Sequence, residues 1–341
     1  MRVALITQFA PPVVGGIQTH ISRLQQELSS RGNTVDILGG AASSLPALNL
    51  LPRMRWELES YDVVHFHGFE RLLLLSLFAH RPRRLVVTPH GGVLGPSLVP
   101  GVANRAKTWI DRTRLLPLLS RIAHAIVALH ETERRLLQSF GVPDWLLHTV
   151  PNGVDIQLQR AVLPSDYLLY AGRVTRAKGL DKCIELVRLL PSMHLKVAGP
   201  YTGRVRNWLE TKCRLIGVEN RVQFLGVVPP EELRRLRRHA TANVLFSTYD
   251  HQPLAVLEAL ASGVLSVGSG SVGILELART FPELVRTADS LSDAANMISA
   301  DRALSLEERE RRRAATVPLL QAYSWPHVGS ALERIYSGEA A

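Results

Sequence analysis

Short apolar, β-branched runs alternate with stretches of helical periodicity along the whole chain. In the first half the runs are Val3–Thr7, Val35–Leu38, Val63–Phe66, Leu85–Thr88 and Ala125–Leu129. Between the first two, Ile21, Leu24 and Leu28 recur at helical spacing within Ile17–Ser30, and Asn33-Thr34 breaks the pattern. A second series begins at Tyr167–Ala171 and continues through Leu195–Ala198, Val222–Leu225, Asn243–Phe246 and Val264–Val267. Strands alternating with helices predict an α/β fold with parallel sheets. Pro151-Asn152-Gly153-Val154-Asp155 is turn chemistry, and the segment after it stays polar to Ser165. That marks a boundary near residue 158, with a first domain over 1–158 and a second over 159–319. Two consecutive doubly wound units imply a ligand cleft facing the carboxyl ends of the strands.

A length of 341 residues suits two domains of ordinary size, and 46% hydrophobic residues are ample for two cores. No apolar run reaches the ~18–20 residues that span a bilayer, and Met1–Ile6 reads as a buried strand rather than a signal peptide. The two cysteines, Cys183 and Cys213, form no pairing or zinc-binding motif, so a cytoplasmic compartment is expected.

Charge adds one feature. The net charge is +10, and the stretch Arg71–Arg121 holds many arginines against a single acid, Asp111. The plain reading is a solvated basic face. The functional reading is a peripheral contact with an anionic membrane or a lipid-linked acceptor, helped by the apolar Leu72–Leu75 and Leu115–Leu119. No zinc-finger spacing or aromatic ribonucleoprotein pattern occurs, so nucleic acid is not an expected partner.

Four short segments carry candidate chemistry. Gly15 and Gly16 follow the first strand and open a helix, where glycines permit positive φ and close backbone approach, and where free N–H groups face a phosphate. Alone this is an ordinary β–α turn. Arg173 and Lys178-Gly179 follow the strand Tyr167–Ala171; Arg binds two oxygens in parallel and Lys adds a compact charge, a pairing suited to a diphosphate. Asp250 lies after the strand Asn243–Phe246, and Glu258 lies in a helix starting near Pro253. Carboxylates accept paired hydrogen bonds from vicinal hydroxyls, so the two acids suit a sugar and a ribose. Gly268-Ser269-Gly270-Ser271-Val272-Gly273 matches the dinucleotide fingerprint, but it sits near the end of a unit rather than at its opening.

In order and spacing these segments resemble the retaining GT-B glycosyltransferases of family 4 over nearly the whole chain. The resemblance takes in Gly15-Gly16-Ile17-Gln18-Thr19-His20, Val63-Val64-His65-Phe66-His67, Thr88-Pro89-His90-Gly91 and Val150–Asp155. It continues through Tyr170-Ala171-Gly172-Arg173 with Lys178-Gly179-Leu180, then Leu257-Glu258-Ala259, and closes on Tyr323-Ser324-Trp325. It implies a GT-B fold of two Rossmann-like domains, with a terminal helix over about 320–341 returning to the first, acceptor-side domain. The second domain would bind the nucleotide-sugar donor. The family pattern puts Arg173 and Lys178 on the donor diphosphate, Glu258 on the ribose, Asp250 on the transferred sugar, Gly16 beside the diphosphate and His90 near the sugar's reacting face. The backbone around Leu254 would also face the donor.

Two departures touch the sugar site. Asp250 stands where the family has Glu and is one methylene shorter, and His251 stands where a small residue is frequent. The resemblance further implies retention of configuration. No first-lobe acid falls in a segment assignable as a nucleophile, so same-face departure and attack is expected, with the leaving phosphate taking the acceptor proton. No Asp-x-Asp occurs, so transfer is expected to need neither metal nor cofactor beyond the nucleotide sugar. A UDP- or GDP-sugar, a carbohydrate or lipid-linked acceptor, and a role in cell-surface polysaccharide or glycolipid synthesis complete the expectation. An epimerase, a phosphorylase or a non-catalytic nucleotide-sugar-binding relative is the alternative.

Overall fold

The computed structural model describes residues 1–11, 15–40, 58–69, 82–92, 109–156 and 160–339. The chain divides into two compact units, Met1–Gly153 with Tyr323–Ala341, and Val154–Ala322.

The first unit is built on β1 (Arg2–Phe9), α1 (Gly16–Ser30), β2 (Thr34–Gly40), β3 (Val63–His67), β4 (Leu85–Thr88), α2 (Leu116–Leu119), β5 (Ala125–Ala128), α3 (Glu131–Ser139) and β6 (Leu147–Thr149). Its described strands form one parallel sheet in the order β2-β1-β3-β4-β5-β6. Strands buried on both faces must be apolar at consecutive positions, and Val3, Ala4, Leu5 and Ile6 are all fully buried. One face packs on Leu115, Leu116 and Leu119, which therefore belong to the core and are not available to a membrane. That removes half of the apolar support expected for the basic stretch; Leu72–Leu75 lie outside the described residues. The other face packs on Ile21, Leu24 and Leu28 of α1 together with Val328, Leu332 and Ile335 of the last helix. That helix, which follows the second unit in sequence, runs Trp325–Ser337 and is tied to α1 through Arg31 and Glu333, 2.6 Å apart.

The second unit comprises β7 (Tyr167–Ala171), α4 (Leu180–Leu189), β8 (His194–Ala198), α5 (Gly203–Leu215), β9 (Val222–Gly226) and α6 (Pro230–His239). It continues through β10 (Ala242–Leu245), α7 (Leu254–Ala261), β11 (Ser266–Gly268), α8 (Val272–Thr280), β12 (Val285–Thr287), α9 (Leu291–Arg302) and α10 (Leu306–Leu320); the terminal helix of the first unit is thus α11. The parallel sheet runs β12-β11-β10-β7-β8-β9. Counted from its own first strand, this is the doubly wound order with its reversal between β7 and β10. Chain connections leave these neighbouring strands in opposite directions, which opens a crevice beyond their carboxyl ends.

Three strand expectations shift, each for a local reason. The edge strands β6 and β12 are three residues each and carry His148 and Arg286, too short and polar to stand out as apolar runs. Val264 and Leu265 are buried but precede β11. Gly263 takes φ 69° after α7, and the Val264 N–H donates to the Ala259 carbonyl at 2.9 Å, so these apolar side chains seal a helix end.

Candidate functional site

The reversal in the second sheet brings two of the expected side chains, Lys178 and Asp250, together. The turn after β7 is fixed by the Gly172 N–H on the Ala198 carbonyl (2.9 Å) and by the Tyr170 hydroxyl on the Arg173 carbonyl (2.7 Å). Burial raises Tyr170 far above its ordinary range, so its hydroxyl stays a donor at neutral pH. Arg173 itself is exposed, with no ion-pair partner among the described residues. Gly179 closes the turn at φ 65°, where a Cβ would fall 2.1 Å from the Phe246 carbonyl oxygen. Only glycine fits both demands, and the fit brings the turn after β7 against the end of β10.

Across that contact Lys178 Nζ and Asp250 Oδ1 lie 2.6 Å apart, with the side chains 26% and 14% exposed. Asp250 Oδ2 is buried with no hydrogen-bond partner among the described residues. A buried carboxylate oxygen left unpaired costs about 1–3 kcal/mol, so a hydroxyl donor arriving there would be stabilised. The backbone at this point is pinned, because the Gly273 N–H donates to the Asp250 carbonyl at 2.9 Å. A Cβ on Gly273 would lie 1.9 Å from the His251 carbonyl oxygen, and one on Gly268 would lie 2.3 Å from that of Leu245. The glycine-rich segment therefore serves close packing of β11 and α8 on β10 and its loop. His251 is buried, with Nε2 2.6 Å from the Tyr249 hydroxyl. Leu254 is the first residue of α7 and is half-buried, after Pro253 at the N-cap.

Glu258, on the half-buried side of α7, has a partner that the sequence did not disclose. Arg237 Nη2 donates to Glu258 Oε2 at 2.6 Å, and the Arg237 side chain is only 4% exposed against 34% for Glu258. Burial pulls the Arg237 guanidinium below its ordinary range, and Glu258 opposes that shift. In sequence Arg237 sits inside Pro230–His239, whose run of arginines and glutamates reads as a solvated face. Only the pairing reveals it.

In the first unit the expected residues lie at the carboxyl ends of β1, β3 and β4. Gly15 caps α1 with φ −177°, an extended backbone open to any residue, and Gly16 is already helical. The positive φ expected of this pair is not used. A Cβ on Gly16 would meet nothing within 4 Å, so its contribution is open space at a helix N-terminus. His90 holds a left-handed turn at φ 48°, uncommon for a side-chain-bearing residue. The turn is clamped from below: buried Glu133 of α3 accepts from the Gly91 N–H (3.0 Å) and the Leu129 N–H (2.8 Å). Burial pushes the Glu133 carboxyl up to about 7, against the pull of those two donors. His90 Nε2 lies 3.0 Å from His67 Nδ1, and the His20 ring stands 5.4 Å from that of His90.

Of the basic stretch, Arg83 pairs with Asp62 at 3.6 Å, Arg84 donates to the Ile335 carbonyl at 2.8 Å, and Arg112 stacks over Phe140. Arg114 and Arg121 are exposed, as are Trp109 and Ile110; Arg71, Arg81, Arg105 and Lys107 lie outside the described residues. Among the described residues no helix is long and apolar enough to cross a membrane.

Comparison with known proteins agrees with this architecture. Residues 156–315 match the model of Glycosyl transferases group 1, and residues 42–158 match that of Glycosyltransferase Family 4. The GDP-mannose:cellobiosyl-diphosphopolyprenol alpha-mannosyltransferase of Xanthomonas oryzae pv. oryzae is 26% identical over 292 residues, 82% of this chain and 74% of that protein. Glycogen synthase of Mycobacterium tuberculosis is 24% identical over 410 residues, 98% of this chain and 94% of its own. Among solved structures, Anabaena HepE in complex with UDP and glucose aligns over 99% of both chains, with a TM-score of 0.78 at 16% identity. Sucrose-phosphate synthase from Thermosynechococcus elongatus aligns over 98% of both, with a TM-score of 0.79 at 19% identity.

Proposed function

From the premise that this chain belongs to the group 1, family 4 glycosyltransferases and has the GT-B fold of two Rossmann-like units, we propose that it moves a hexose-type sugar with retention from a UDP- or GDP-sugar to an acceptor hydroxyl. The observation that carries the reading is the Lys178–Asp250 pair at the reversal of the second sheet, with Arg173 exposed in the same turn after β7 that carries Lys178. Without donor, Asp250 compensates the Lys178 charge. An arriving diphosphate offers Lys178 and Arg173 a doubly charged partner, which frees Asp250 to accept from the sugar through its buried Oδ2. Glu258 takes the ribose hydroxyls with Arg237 fixing its carboxylate, and the backbone at Leu254 lines the donor.

Catalysis on this reading is electrostatic. As the glycosidic bond breaks, negative charge grows on the diphosphate, and preorganised cations stabilise that growth more than they stabilise bound donor. The family resemblance further assigns Gly16 to the diphosphate and His90 to the sugar. The acceptor proton goes to the departing phosphate oxygen on the same face, so the step needs no metal and no carboxylate nucleophile.

Relatives named for GDP-mannose and a fold neighbour holding UDP and glucose keep both nucleotides in the reading. A relative named for a diphosphopolyprenol acceptor supports a lipid-linked acceptor, met at the inner face of the cell membrane by exposed Trp109, Ile110, Arg114 and Arg121. The product would enter cell-surface polysaccharide or glycolipid synthesis. A thermal-shift screen of UDP-, GDP- and ADP-sugars tests the core of this. A true donor at a hundred times its Kd stabilises the fold by about 2.7 kcal/mol. If no nucleotide sugar moves the transition, the donor assignment fails.

A further inference from the structure

Four histidines crowd the carboxyl end of the first sheet. His65 is held on both nitrogens, by the Tyr336 hydroxyl at 2.6 Å and Thr88 Oγ1 at 2.8 Å, and its ring stacks 4.0 Å from that of His67. The other three, His20 of α1, His67 ending β3 and His90 after β4, form a nearly equilateral triangle. Their ring centroids are separated by 5.5, 5.4 and 5.3 Å.

We propose that His20, His67 and His90 form a binding site for a divalent transition-metal ion of the zinc class. Imidazole nitrogens about 2.0–2.1 Å from a tetrahedral ion put three ring centres roughly 5–5.5 Å apart, which is the triangle found. One nitrogen of each ring already lies within 4.8 Å of the others. Ligation asks for separations of roughly 3.4 Å, a modest contraction for the widest pair and a slight spreading of the 3.0 Å between His67 Nδ1 and His90 Nε2.

A second observation is independent of that spacing. His20 Nδ1 is buried with no hydrogen-bond partner among the described residues, and the residue is only 4% exposed. Buried polar groups are nearly always satisfied, and orphans call for a ligand or a reason. The donor set decides the class. Three imidazoles suit zinc, nickel or cobalt, whereas magnesium and calcium take oxygen ligands. His65, locked by Tyr336 and Thr88, packs its ring 4.0 Å from that of His67 and so restricts how that ring can turn.

Three protein ligands leave a fourth coordination position for water or a substrate group, and His90 is only half-buried. An ion there engages the residue assigned to the sugar, so it inhibits transfer rather than assisting it. The inhibition rests on the assignment of His90 to the sugar in the proposed function; ion binding by the three histidines does not. Tag-free protein stripped with EDTA, then titrated with Co²⁺, should bind one equivalent and develop the intense visible absorption of tetrahedral cobalt. His20→Gln and His67→Gln should each lose it, and sugar transfer should fall at least tenfold on Zn²⁺ addition while the stripped enzyme stays active. Absence of a stoichiometric event, or a binding event retained by both variants, overturns the proposal; transfer indifferent to bound Zn²⁺ overturns the assignment of His90 to the sugar instead. Should a variant fold poorly, proton NMR of Co²⁺-loaded wild type decides. Paramagnetically shifted signals from three imidazoles support the site, and fewer than three refute it. Inactive stripped enzyme would instead count against the metal-independent transfer reading.

Discussion

The Arg237–Glu258 pair makes an asymmetric prediction. Arg237 is nearly enclosed, and Glu258 keeps a third of its surface in solvent. Truncating Glu258 to Ala strands a guanidinium in a site where burial already lowers its pKa, and breaking a buried pair from that side costs about 3–5 kcal/mol. The partial exposure of Glu258 places the loss near the lower end, about 3 kcal/mol. Replacing Arg237 by Met keeps most of its volume and leaves a carboxylate that water can reach, so about 1 kcal/mol or less is expected. For a unit of this size about 1 kcal/mol moves Tm by ~2–4 °C, which predicts a drop of roughly 6–12 °C for Glu258→Ala and at most a few degrees for Arg237→Met. The double variant should recover much of the Glu258→Ala loss, because the stranded charge is gone. Calorimetry of the four proteins without ligand reads this directly. Equal losses for the two single variants, or a larger one for Arg237→Met, would refute the claim that Arg237 is the desolvated member.

Lys178→Ala should lower turnover about 10²–10³-fold, the usual loss for one transition-state contact, with a far smaller effect on nucleotide-free Tm; near-normal transfer would remove Lys178 from the diphosphate. Glu133 gives a pH signature. Its folded pKa of about 7 lies above the unfolded value near 4.5, so its stabilising contribution is complete below pH 4.5 and is lost as pH rises through 7. The span is on the order of 3 kcal/mol, and Glu133→Gln should flatten Tm against pH over that window. Binding to vesicles of anionic lipid should be measurable at low salt and fall as salt rises, and Arg114→Glu with Arg121→Glu should weaken it; indifference to both would leave the exposed Trp109 and Ile110 without a membrane role.

Most strands could be read because parallel strands covered on both faces must be apolar at consecutive positions, and Val3–Ile6 or Tyr167–Ala171 leave no other interpretation. Doubly wound units imply a reversal, but its place between β7 and β10 was not read from the residues, since strand order depends on which helix packs on which face. For the same reason nothing local tells Lys178 that Asp250 is its neighbour. Residue type and position after a strand nominated both, but the 2.6 Å contact is tertiary. Arg237 shows the opposite failure. Its charge is conspicuous, yet an arginine-rich helix hides which member turns inward. The histidines fall between: each lies in a recognisable segment, and only the ends of β1, β3 and β4 standing side by side make three of them one cluster.

If Asp250 holds the transferred sugar as proposed, its length has a consequence for sugar choice that the surrounding packing makes testable. Its backbone is pinned to Gly273, and a Cβ at 273 would collide with the His251 carbonyl, so the loop has no slack. Asp250→Glu therefore cannot be absorbed by backbone retreat, and the extra methylene carries the carboxylate outward by about 1.5 Å. The useful range of a hydrogen bond is only about 0.5 Å wide, so the longer acid meets a different hydroxyl, or the same one on an epimer. A hydrogen bond to a charged group is worth about 1.5–3 kcal/mol, so the ratio of kcat/KM between two epimeric donors should change by at least about tenfold. Asp250→Asn is the control: it keeps the length, loses the charge that meets Lys178, and should depress all donors by a similar factor. If Asp250→Glu also lowered every donor alike, Asp250 would be acting through Lys178 alone, and the contact to the sugar would have to be sought at His251 or His90.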